Sequence, residues 1–186
     1  QLLALNSSQL RSLSVAQIQV LSSDEILALK NSQLTALSTT QLSSVSTDFI
    51  KSLASAQVKE LVSAQIRALT TLQLSSLNSD QVRTLGSTQA SGMATSQIAA
   101  ISTQQSSALT SAFISSLSST QVTALQTDDL INIGSTNIAS LKTSQIRALG
   151  INQLSAFSAE LFTGITAAQI TSLTSSQLSA ISTELV

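Results

Sequence analysis

The sequence predicts an all-α solenoid, a superhelix of very short helices with one helix in each eight-residue repeat. Three observations predict it. From Asn6 to Ile181 the chain divides into 22 consecutive octets with no insertion or deletion. In these octets positions five and eight are apolar, a spacing of three that suits a helix and not a strand. The charges also sort along the octet, acids early and bases late, as a helix dipole favours.

A fixed period decides the architecture. The units run NSSQLRSL, SVAQIQVL, SSDEILAL, KNSQLTAL and so on to TSSQLSAI at 174–181. Residues 1–5 read as the end of a preceding unit and 182–186 as the start of a following one, so 1–186 is a single array. Position eight is apolar in all 22 units. Position five is Leu, Ile, Val or Phe in 20, with Ala90 and Ser106 the exceptions. Gln holds position four in 16 units, and Ser or Thr holds position two in 17. Position seven is nearly always Ala, Ser, Thr or Gly.

A single long helix does not fit this period. Eight residues advance an α-helix by about 800°, so the apolar face would drift by about 80° per unit. The helix must break once per octet. Ser or Thr at positions one and two, followed by Gln at four, resembles a capping box in units such as Ser38–Gln41 and Thr174–Gln177. The pattern leaves open whether position one or two is the cap. Gly86, Gly134 and Gly150 fall at position one, where a left-handed residue would end the preceding helix.

Six of the nine acids lie at position three: Asp24, Asp48, Asp80, Asp128, Glu160 and Glu184. Six of the eight bases lie at position six: Arg11, Lys51, Lys59, Arg67, Arg83 and Arg147. Asp48–Lys51 and Asp80–Arg83 are therefore expected to pair on an exposed face. A helical wheel groups positions four, eight, one and five on the core side. The four aromatic residues follow it: Phe49 and Phe113 replace Gln, Phe157 stands at eight and Phe162 at five.

A helix of six or seven residues is about 10 Å long and does not persist alone. The units must stack so that their apolar stripes merge, with two or three expected per coil. The Gln column then has a use. Buried helix ends leave backbone groups unpaired, at about 1–3 kcal/mol each. An amide both donates and accepts, so the Gln is expected to bond corner backbone of its own or a neighbouring unit. The units at 86–93 and 102–109, weakened by Ala90 and Ser106, read as a loose stretch, a bend or harmless drift.

Composition excludes much chemistry. The chain contains no His, Cys, Trp, Tyr or Pro, and its net charge is −1. A serine nucleophile has no imidazole base, and Cys/His metal sites are absent. No catalytic, cofactor-binding or metal residue is expected. The acid pairs Asp24–Glu25 and Asp128–Asp129 are too few for a calcium site and read as solvated helix-start acids. Charge balance and missing aromatics disfavour nucleic acid. No apolar run is long enough for a membrane span, and no signal-peptide pattern is present.

The unit L-[ST]-[ST]-x-Q-[ILV]-x-[AS]-L resembles the tandem "LTTAQIxAL"-type repeats of large bacterial secreted and surface proteins. SAQIRAL at 63–69 and TSQIRAL at 143–149 are close instances, and the resemblance covers the whole chain. It implies an extracellular or cell-surface setting and an adhesin-like role. The haem-utilisation label attached to some of these proteins finds no support, since Met93 is the one residue left that could meet iron. The expected role is a structural spacer or stalk. The alternative is a subunit that assembles with further copies of itself, head to tail or laterally, into a filament or sheath. A glycan- or protein-binding module follows, and an enzyme comes last.

Overall fold

The computed structural model describes residues 4–181. The partial unit 182–186, including the position-three acid Glu184, lies outside the described residues. Among the described residues the chain forms 22 helices of four to six residues and no strand, one helix for each octet. Every helix begins at position two, as in Ser7–Ser12, Ser63–Ala68 and Ser175–Ala180.

The start is set by position one, which is the N-cap throughout. Its backbone is extended, as at Ser38 (φ −69°, ψ 158°) and Thr70 (φ −66°, ψ 159°). Where it is Ser, Thr or Asn, its side-chain oxygen accepts from the N–H of position four, for example Gln81 N to Asn78 Oδ1 at 2.9 Å. The position-four side chain answers from the other direction. Gln41 Oε1 accepts the N–H of Ser38 at 2.8 Å, closing the capping box. Ala54, Val62, Gly86 and Ala94 have no side-chain acceptor, so there the Gln half alone remains, at 2.8–3.1 Å.

The stop is set at position eight. Its N–H bonds the carbonyl of position five in every unit but those ending at Val45 and Ile133, as in Leu69 N to Ile66 O at 3.2 Å, and at Leu69 the backbone turns extended. That short last turn swings the chain into the next N-cap with no intervening loop. The wheel misplaces one position. Position one lies outside, because it is an extended cap and not part of the helix. The glycines also differ from expectation. Gly134 has a positive φ of 83°, whereas Gly86 and Gly150 are ordinary extended caps.

Each helix packs on the helix three units along. Ser63–Ala68 meets Ser87–Gly92, which meets Ser111–Ser116, and the same step recurs on all sides of the chain. Three octets therefore complete one coil, and the solenoid has three faces and three corners. Positions five and eight from every coil fill one continuous core, from Leu10 and Ile18 through Ile98, Ile114 and Leu130 to Leu173 and Ile181. Each unit borrows its core from the coils above and below, which is why so short a helix persists.

Ala90 and Ser106 occupy their core sites and are fully buried. Ser106 spends its hydroxyl on the carbonyl of Thr103 at 2.8 Å, within the four-residue helix Thr103–Ser106. The expected ion pairs Asp48–Lys51 and Asp80–Arg83 form at 3.8 Å on exposed faces, where such pairs contribute little.

Position seven is small for a reason visible only between coils. It lies against position two of the unit one coil earlier, twenty-nine residues back. Ser52 Oγ donates to Ser23 Oγ across this contact at 2.9 Å. A Cβ added to Gly164 would fall on the Ser135 backbone, and one added to Gly92 would meet the Ser63 side chain. A hydroxyl can rotate away and a backbone cannot. Gly164→Ala is therefore expected to cost about 1–3 kcal/mol and Gly92→Ala clearly less, as read by paired urea denaturation curves.

Candidate functional site

The polar feature that recurs through the molecule is the column of position-four amides at the corners. Of the 16 Gln residues at position four, 14 are buried. Each of these 14 donates from Nε2 to the carbonyl twenty-eight residues earlier, which is position eight on the coil beneath. Gln65 shows the full pattern. Its Nε2 lies 2.9 Å from Leu37 O, 3.1 Å from Leu34 O and 3.3 Å from Thr35 O, while Oε1 accepts from Val62 N at 3.1 Å.

One amide thus joins two corners. Its oxygen closes the start of its own helix, and its nitrogen closes the end of a helix one coil away. The groups it satisfies are the donors and acceptors that short helices leave orphaned at both ends. No buried side-chain nitrogen or oxygen among the described residues lacks a partner. The expectation that Gln bonds corner backbone of its own or a neighbouring unit is met twice over. Gln9 and Gln17 lie in the first coil, are exposed, and bond their own caps at 2.9 and 2.8 Å.

Six units place another residue on this column. Phe49 and Phe113 fill it with buried rings. Leu161 enters the core there, leaving Phe162 at position five partly buried. Glu25 keeps the cap bond, accepting Ser22 N and Ser22 Oγ at 2.9 Å each. Those two donors hold its carboxyl below the usual carboxylate range. Asn137 is shorter by a methylene. Its Nδ2 still reaches the carbonyl twenty-eight back, Leu109 O at 2.8 Å, and also Ile133 O at 2.8 Å.

Asp129 is the sixth, and it departs from the expectation for a first-turn acid. It is not a solvated helix-start acid, since only 3% of it is exposed. Burial pushes its carboxyl above the usual range, a hydrogen bond from the Thr103 side chain opposes this, and Asp128 adds to the rise. The two acid pairs differ: Asp24 and Glu25 are both exposed, with Glu25 bonded to its own cap, whereas Asp128 is exposed and Asp129 is buried. Among the described residues no three acids, Cys or His gather as a metal group would require.

The surface grooves follow the corners. One of about 470 Å³ is lined by Thr47, Lys51, Leu72, Asn78, Ser102 and Gln104. Its lining mixes hydroxyls, one cation and one exposed leucine, with no convergent set of catalytic groups. No described helix is long and apolar enough to cross a membrane.

Helices of one turn, three to a coil, laced at the corners by amides: these define an octapeptide-repeat α-solenoid. The repeat itself is of a known type. A family model described as the ALTTAQ repeat matches residues 1–31 and 122–159, so the chain carries short tandem repeats of the LTTAQ type. The octet pattern continues unbroken between those two segments. No curated protein matches the chain.

Proposed function

We propose that the chain is a structural spacer, a stiff segment of an extracellular bacterial surface protein that performs no chemistry of its own. One observation carries this reading. The recurrent apolar, amide and small positions of the octet are spent on holding coil to coil: five and eight in the core, four in the corner bonds, seven and two at the close approach. What remains outward is mostly small and uncharged, with large apolar side chains such as Val20 and Leu72 exposed singly and no exposed Trp or Tyr. Such a surface offers few anchors for a tight partner, which would favour aromatic and Arg side chains. The surface setting rests on the likeness of SAQIRAL and TSQIRAL to repeats of secreted and surface proteins.

A spacer must hold its length. With 22 helices among the described residues at three to a coil there are about seven coils. At roughly 8–10 Å between packed helices the rod is about 60–70 Å long. Small-angle scattering of the isolated chain tests this. An elongated particle of that length, constant with concentration, is the expected result. A length that grows with concentration would replace the spacer by a self-assembling filament subunit. A compact or coil-like profile would remove both.

A further inference from the structure

We propose that the corner at Ile133–Gly134 is a joint in the rod: it is latched by one side chain, Asn137, and opens before the corners on either side of it, so that the solenoid gives there while the flanking coils stay closed.

The flanking corners are each held by three bonds. The helix before the corner closes its last turn through the N–H of position eight. The helix after it accepts the N–H of its own cap on the position-four amide. A second amide, from the coil above, takes the position-eight carbonyl. At Leu117–Ser118, Leu117 N bonds Ile114 O at 3.3 Å, Ser118 N bonds Gln121 Oε1 at 2.7 Å, and Leu117 O accepts Gln145 Nε2 at 2.7 Å. At Leu141–Lys142 the corresponding bonds, to Ile138 O, Gln145 Oε1 and Gln169 Nε2, measure 3.1, 2.6 and 2.6 Å.

Ile133–Gly134 has none of the three. The helix Thr127–Asn132 makes no bond from its C-cap N–H, and Ile133 stays helical (φ −68°, ψ −19°) where Leu117 and Leu125 turn extended. The helix Ser135–Ala139 has no capping box, and its cap Gly134 brings no side chain. Position four of the unit above, twenty-eight residues on, is Leu161, which has no amide to give. Thr127–Asn132 is unclosed at its start as well, since Gln126 makes no cap bond and no capping box forms.

Asn137 stands in for what is missing. Its Nδ2 donates to Ile133 O across the corner and to Leu109 O on the coil beneath, each at 2.8 Å, and its Oδ1 accepts Ser111 Oγ at 2.7 Å. One side chain thus ties the corner to itself and to the coil below. The turn leaves room to move. Gly134 has a φ of 83°, a region that glycine tolerates best, and nothing lies within 4 Å of the place a Cβ would take. A segment opens locally at a free energy set by the bonds it must break, and this corner has fewer to break than its neighbours. The joint is a property of the coils and stands whether or not the rod serves as a spacer.

Native-state hydrogen exchange of the whole chain, corrected for intrinsic rates, tests it at paired amides. Asn137 N and Ile138 N bond Gly134 O as Gln145 N and Ile146 N bond Lys142 O. In the wild type the first pair should exchange at least about tenfold faster, the equivalent of one or two net hydrogen bonds. Asn137→Ala removes the latch and should speed that pair by roughly a further tenfold while Gln145 and Ile146 stay as they were. Gly134→Ser combined with Asn137→Gln rewrites the corner as a common octet and should slow the pair to the rate of its neighbours. Wild-type exchange no faster at Asn137 and Ile138 than at Gln145 and Ile146 would overturn the proposal, and that measurement needs no variant to fold. So would an Asn137→Ala chain that exchanges faster at every amide alike, which would make Asn137 a general stabiliser and not a latch. A rewritten corner that still exchanges as fast as wild type would sink it too, because the missing bonds would not be the cause.

Discussion

Replacing Gln97 with Leu should lower stability by about 2–4 kcal/mol, although the two side chains are close in size. Gln97 is 3% exposed and makes four bonds: Nε2 to Ile66 O at 2.8 Å, Leu69 O at 2.8 Å and Arg67 O at 3.3 Å, with Oε1 accepting Ala94 N at 2.9 Å. Leucine satisfies none of them, and the backbone groups remain buried. The position-eight carbonyl and the cap N–H bear the larger share, since the Ile66 carbonyl also accepts Leu69 N within its own unit. Gln97→Glu separates the acceptor role from the donor role. The glutamate keeps the bond to Ala94 N but turns an oxygen toward three carbonyls, which favours the protonated acid. Its stability should approach wild type below pH 4 and fall as pH rises to 7. Denaturation curves at the two pH values check both. A Gln97→Leu cost below about 0.5 kcal/mol would mean that water satisfies these groups, and the ladder would lose its structural meaning.

The second large effect is expected at Phe113. Its ring is fully buried, on the helix stacked directly on Ser87–Gly92, whose core residue is the small Ala90. Phe113→Ala removes the ring and leaves a cavity between those coils, at about 3–5 kcal/mol. Phe113→Gln should recover part of the loss. The register places its amide at the carbonyls of Leu85 and Val82, twenty-eight and thirty-one residues back, as Gln121 sits at Met93 and Ala90. The paired variants, compared by urea denaturation, distinguish volume from hydrogen bonding. If both fell equally, the ladder register would not extend through this unit.

Much of this molecule was legible in one line of sequence because each octet states the same constraints again. The spacing of three between apolar residues such as Ile66 and Leu69 announces a helix, and the period of eight forbids that helix from continuing. Asp48 and Lys51 mark its two ends. Sequence could not separate Ser38 from Thr39 as the cap, since both are good caps; the extended backbone at Ser38 decided it. It also misjudged Asp129, whose residue type suits a solvated first turn. The signal was present all the same, because Asp129 stands at the position that Gln holds in 16 units.

What the sequence by itself determined is the local element: one short helix in each octet, its start fixed to within a residue, with positions four, five and eight turned inward. Those follow from contacts within about eight residues. The tertiary structure decided the rest: three units to a coil, Gln65 joined to Leu37 and Gln97 to Leu69, and Gly164 pressed on Ser135. The physical reason is that these bonds span twenty-eight or twenty-nine residues. Nearly identical octets look the same to any distant partner, so only the packed coil selects which one each amide meets.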